Sequence, residues 1–66
     1  MTVAALSELL LETSLHHDAY EKTHEPHNWW DWYAAYMDAR LGGAESENAV
    51  ESANTYMDEV LHVAAI

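Results

Sequence analysis

His24-Glu25-Pro26-His27-Asn28-Trp29-Trp30-Asp31-Trp32-Tyr33 is the stretch that decides how this chain folds. It holds the only proline, all three tryptophans and two of the five histidines. Pro26 has no amide proton and disfavours α conformation in the residue before it, so a helix arriving from the N-terminal side must stop near Glu25. Asn28 has the short polar side chain of an N-cap. Asp31, three residues on, sits where the positive end of a helix dipole favours a carboxylate. The stretch therefore reads as a corner between two helices.

Working backward from the corner, the spacing predicts a helix from about Thr2 to His24. Val3, Leu6, Leu10, Thr13, His17, Tyr20 and His24 recur at intervals of three and four and form one stripe, with Leu9 at its edge. Ala4, Leu11 and Leu15 fall on nearly the opposite side. A helix in a small monomer needs one buried stripe, so the second predicts contact with another chain. Working forward, helix 2 runs to about Leu41, where Gly42-Gly43 supplies a stop. Trp29, Tyr33, Tyr36, Met37 and Arg40 share a face flanked by Trp30 and Trp32, while Asp31 and Asp38 mark the wet side. So wide an arc suits packing against more than one neighbour. Helix 3 is expected from Glu45 or Ser46 toward Val63, burying Ala49, Val50, Ala53, Tyr56, Met57, Val60, Leu61 and Ala64. No period-two alternation marks a strand. The expected fold is all-α, a small three-helix hairpin-like bundle in one domain over residues 1–66, completed by dimerisation.

Size makes that last step plausible. A core in 66 residues rarely stabilises a chain by more than ~3–5 kcal/mol without a disulfide, a metal or a partner chain. The chain has no cysteine, which removes disulfides and thiolate metal sites. Twelve acidic residues against Lys22 and Arg40 give a formal charge of −10. That repels phosphate backbones and anionic membrane surfaces, so neither nucleic acid nor membrane is an expected partner. The longest strongly apolar run, Leu9-Leu10-Leu11, is far short of a span. Met1-Thr2-Val3 lacks a basic leader region, and a cytoplasmic location is expected.

Two groups of residues are candidates for chemistry. Imidazole and carboxylate together bind zinc and other transition metals. Glu12 and His16 are four apart, as are His17 and Glu21, and His24 and His27 flank the corner. A metal site drawn from Glu12, His16, His17, His24 and His27 is the alternative function. Against it stands the reading in which His17 and His24 are boundary core residues bonded to backbone or tyrosine; no His-x3-His pair occurs on one helix. Glu21-x-x-His24 and Glu59-x-x-His62 imitate the paired motifs of di-iron bundles, but Glu59 and His62 project away from the Ala53/Val60 face. If His17 and His24 are buried and neutral, stability should fall below about pH 6.5, since unfolding exposes them to protons.

The aromatic residues form the second group. Trp29, Trp30, Trp32 and Tyr36, with Ala4, Leu11 and Leu15, are the expected interface; a small-molecule pocket among the Trp and Tyr rings is a weaker alternative. Arg40 falls on the apolar face of helix 2 and needs a carboxylate partner or carbonyls near Gly42. No nucleophile stands beside a base and there is no glycine-rich phosphate loop, so catalysis is not expected. The leading function is a non-enzymatic self-association or protein-interaction module without a cofactor.

The run His27-Asn28-Trp29-Trp30-Asp31-Trp32-Tyr33-Ala34-Ala35-Tyr36, followed by Arg40, Gly43, Ala49, Tyr56 and Met57, resembles a small helical segment of bacterial proteins labelled as glyoxalase- and bleomycin-resistance-related, often an appended tail. The resemblance covers roughly residues 6–62. The label's own βαβββ metal-binding domain cannot form from this chain, so the resemblance implies neither lactoylglutathione chemistry nor drug sequestration. Such segments often have Ser/Thr-Pro-Glu-Glu before helix 3; Glu45-Ser46-Glu47-Asn48 stands there instead.

Overall fold

The computed structural model describes residues 2–24 and 27–62. Three helices follow in order: α1 Val3–Glu21, α2 Trp29–Leu41 and α3 Ser46–Thr55. The last continues into a π-turn, Tyr56–Val60. The fold is the expected all-α three-helix bundle, elongated to 35 × 18 × 17 Å.

Local chemistry sets the ends. Thr2 is extended, and its hydroxyl accepts the Ala5 amide at 3.0 Å, as an N-cap should. α1 closes at Glu21, earlier than proline alone requires; the Thr23 amide turns back onto the Tyr20 carbonyl at 3.2 Å. The expected stop at Glu25-Pro26 lies outside the described residues. Asn28 occupies the N-cap of α2 with extended backbone, but its side chain makes no capping hydrogen bond. The C-terminus of α2 is a Schellman motif: the Ala44 amide reaches the Ala39 carbonyl at 3.0 Å and the Gly43 amide the Arg40 carbonyl at 3.1 Å. Gly43 holds φ at 103°, open to glycine and costly for other residues. Glu45, not Ser46, stands at the N-cap of α3, again without a side-chain cap.

The core is Leu9 and Tyr20 from α1, Trp32 and Tyr36 from α2, Ala49 and Ala53 from α3, and Met57 from the π-turn. Thr13 and His17 are buried with them. Thr13 satisfies its hydroxyl on the Leu9 carbonyl one turn back, at 2.6 Å. Trp32 ties α2 to α3 by donating its indole N–H to Asn54 Oδ1 at 3.1 Å. Ala35 and Ala39 on α2 are half-buried against this core.

Three expectations change. Trp32 and Tyr36 are wholly buried within the chain, so they belong to the core and not to an interface. Their own neighbours fill their surroundings: Trp32 and Tyr36 stack on each other with ring centroids 5.3 Å apart. Val3, Leu6 and Leu10 are exposed, because the buried stripe of α1 runs through Leu9, Thr13, His17 and Tyr20. Tyr56, Val60 and Leu61 are exposed as well. The π-turn accounts for Val60 and Leu61: the Leu61 amide bonds to the Tyr56 carbonyl, five residues back, so beyond Tyr56 the face drifts from a 3.6-residue period. Ala64 and the rest of the Val63–Ile66 tail lie outside the described residues.

Candidate functional site

Two polar centres emerge, and they sort the sequence candidates. The first is built on Glu12 of α1 and Arg40 of α2. Arg40 Nε donates to Glu12 Oε2 at 2.8 Å, and Nη2 donates to Oε1 at 3.2 Å. The guanidinium thus grips the carboxylate with two donors. Arg40 Nη1 also donates to the Ala44 carbonyl at 2.9 Å, so both partners anticipated for this arginine are present, within one chain. Tyr36 donates its hydroxyl to Glu12 Oε2 at 2.6 Å. Arg40 first, and the Tyr36 hydroxyl second, hold the Glu12 carboxyl below its ordinary value. Burial, reinforced by the Glu12 carboxylate, pushes the Tyr36 phenol up to about 12. Glu12 is therefore a structural anchor, and its oxygens are committed away from the histidines.

The second centre is at the corner. His17, on α1, is almost fully buried, and its Nε2 lies 3.0 Å from Nε2 of His27. The other ring nitrogen, Nδ1, lies 3.3 Å from Glu21 Oε1, one turn along the helix. A carboxylate can only accept, so this contact favours the proton on Nδ1 and leaves Nε2 as an acceptor facing His27. Burial pulls the His17 pKa below its usual value, and the Glu21 charge opposes that. His17 is accordingly neutral at pH 7, as the sequence suggested. Tyr20, Tyr33 and Trp32 wall the imidazole, with ring centroids 6.4, 5.1 and 5.6 Å from it. Asp18 joins His17 and Glu21 in a cluster whose ligand-type atoms all lie within 4.8 Å of one another.

The remaining candidates do not join this centre. His16 stacks on Tyr36, centroids 5.4 Å apart. His24 stacks on Tyr20 at 3.8 Å, and its Nδ1 lies 3.0 Å from the Tyr20 carbonyl, so that nitrogen carries its proton toward backbone. Among the described residues, His17 and His27 are the pair of these candidates, Glu12, His16, His17, His24 and His27, joined by a hydrogen bond. Sequence reasoning did not include Glu21 and Asp18 in the metal set, although the four-residue spacing of His17 and Glu21 was the available signal.

The His17–His27 pair opens onto a shallow depression lined by Leu10, Trp29 and Tyr33, with Asp18 and Glu21 on its rim. Only α1, α2 and the corner line it. The groove on the other flank of α1 is lined instead by His16, Ala19 and Tyr20 together with Val50 and Asn54 of α3. So α3 covers one side of the α1–α2 pair and leaves the other uncovered. On the uncovered side Trp29 is 54% exposed and Trp30 53% exposed, edge to face at 5.6 Å, with Tyr33 packed on Trp29 at 4.9 Å.

No family model matches the chain, and neither the curated proteins nor the solved structures searched contain a match.

Proposed function

We propose that this protein is a non-enzymatic helical module that self-associates, with the uncovered α1–α2 face buried against a second copy. One observation carries the reading. Among the described residues eleven large apolar side chains are exposed, while only five (Leu9, Tyr20, Trp32, Tyr36 and Met57) are buried. Soluble monomers rarely expose contiguous apolar patches beyond a few hundred Å². Leu10, Trp29, Trp30 and Tyr33 adjoin one another on one side of the bundle, and Leu6 stands one turn from Leu10. A large aromatic side chain buries roughly 150–250 Å² when covered. Trp29 and Trp30 are each about half exposed, so between them they offer roughly one full aromatic burial, ~150–250 Å², toward the ~800 Å² that one side of a standard interface covers.

A second copy suits this face for two reasons. Two antiparallel helices set against their own two-fold mate make a four-helix layer, the commonest way to bury such a stripe. A chain of this size without cysteine also gains the stability that its small core lacks. The Ala4-Leu11-Leu15 stripe is also exposed, but it is a single narrow strip, interrupted by Glu8, Asp18 and Lys22. It offers less area than a face contributed by two helices. The charge of −10 works against association, so higher salt should strengthen it.

Sedimentation equilibrium from 1 to about 100 µM, a range that covers affinities worth about 5.5–8 kcal/mol, tests the reading. Wild-type protein should pass from monomer to dimer, and the double variant Trp29→Ser/Trp30→Ser should remain monomeric with its helical circular dichroism intact. A folded wild-type monomer at every concentration would refute it.

A further inference from the structure

We propose that the His17–His27 pair, oriented by Glu21, is a binding site for a divalent transition-metal ion. Two imidazoles aimed at one ion at ~2.0–2.1 Å place their nitrogens roughly 3–3.4 Å apart. The observed Nε2–Nε2 separation is 3.0 Å, with the ring planes at 64°, so an ion would take the place of the proton that His27 Nε2 gives to His17 and release it to solvent. The two residues come from different elements, α1 and the corner, so the fold itself brings them together. Glu21 lies on the far nitrogen of His17, the carboxylate–histidine arrangement that fixes the metal-binding tautomer and raises ligand basicity. His17 is held rigidly: it is almost fully buried, with aromatic rings on several sides. In the monomer the depression in front of the pair is open to solvent, which gives an ion a way in and leaves coordination positions for water.

Two nitrogen ligands and no thiolate select for the borderline metals, with copper(II) bound most tightly and nickel and zinc behind it. The carboxylates of Asp18 and Glu21 on the rim raise the local concentration of cations. Both imidazoles belong to one chain, so the monomer carries the whole site, and a second copy seated on Leu10, Trp29 and Tyr33 would compete with entry of the ion.

Calorimetric titration of tag-free protein with copper(II) and with zinc(II), in a non-coordinating buffer, tests the proposal. One ion per chain should bind, and electron paramagnetic resonance of the copper form should show two nitrogen ligands. His27→Gln should weaken binding at least tenfold, and Glu21→Gln should weaken it by about 10–100-fold. His24→Gln and Glu12→Gln should leave affinity unchanged, because those side chains are committed elsewhere. Glu21 is largely exposed, so its variant keeps the fold and tests the carboxylate on His17 Nδ1 without touching a ligand. Absence of binding, a copper spectrum with fewer than two nitrogens, or affinity lost on Asp18→Asn but kept in His27→Gln would overturn the assignment.

Discussion

Tyr20 and Tyr36 show how far a single hydroxyl depends on its surroundings. Both phenols are buried. Tyr36 donates to the Glu12 carboxylate, whereas Tyr20 Oη is buried without a hydrogen-bond partner among the described residues. A hydrogen bond to a charged group contributes about 1.5–3 kcal/mol, while an unsatisfied buried polar atom costs its desolvation. Tyr36→Phe should therefore destabilise by about 1.5–3 kcal/mol and Tyr20→Phe should be neutral or stabilising by about 1 kcal/mol, as urea unfolding will measure. The same cluster sets a pH dependence. Glu12 titrates below its ordinary 4.5 in the folded chain, so its contribution is complete above that value and is lost as pH falls through the folded one. Tyr36 acts in the opposite sense: its contribution is complete below 10 and is lost as pH rises toward about 12. Melting curves at pH 3–7 should show Glu12→Gln with a flatter acid limb than wild type. Parallel limbs would remove Glu12 as the group responsible. The need of Arg40 for a carboxylate was legible in the sequence, since a guanidinium on an apolar face cannot stay unpaired. That the carboxylate is Glu12, a residue that also reads as a metal ligand, was not, because its partner is 28 positions away.

Element ends were the most readable feature, because they are set by local chemistry. Thr2, Asn28 and Gly42-Gly43 each mark a boundary the structure keeps. The exception is informative. Asn28 and Glu45 hold N-cap positions without making the cap hydrogen bond, so these two starts rest on packing: Trp32 and Tyr36 on one helix, Ala49 and Ala53 on the other. The π-turn was not legible, since a wheel drawn at 3.6 residues per turn has no place for one extra residue. Its consequence reaches the surface, where Val60 and Leu61 turn outward while Met57 stays buried. Two substitutions probe these elements. Gly43→Ala forces a Cβ into positive φ and should cost about 1–3 kcal/mol, although nothing lies within 4 Å of the added atom. Ala53→Leu should cost about 1–3 kcal/mol by overpacking the contact that α3 makes with the core. Thermal melts distinguish both from an exposed control such as Ala34→Ser, which should be nearly silent.

At the scale of the whole molecule the distribution of apolar surface is the unusual property. α1 and α2 carry apolar residues on nearly every side, so periodicity gave two stripes and no way to choose between them. The choice depends on which flank α3 covers, a tertiary fact set by the Trp32–Asn54 tie and the alanine contacts. With that flank taken, Trp29, Trp30 and Leu10 are left outside and Trp32 and Tyr36 inside. Half of the aromatic interface read from sequence is thus available, and half is core. The His17–His27 pair sits on the edge of the same face, so burial of that face and metal binding are separable by variants at Leu10 and His27.

The central claim is that the uncovered α1–α2 face, and not the rear of α1, meets a second copy. Sedimentation equilibrium of Leu10→Glu beside Leu15→Glu decides it, because each places one charge on one of the two exposed surfaces. Leu10→Glu should be a monomer, and Leu15→Glu a dimer as tight as wild type. A Leu10→Glu protein that still dimerises, with Leu15→Glu monomeric, would contradict it.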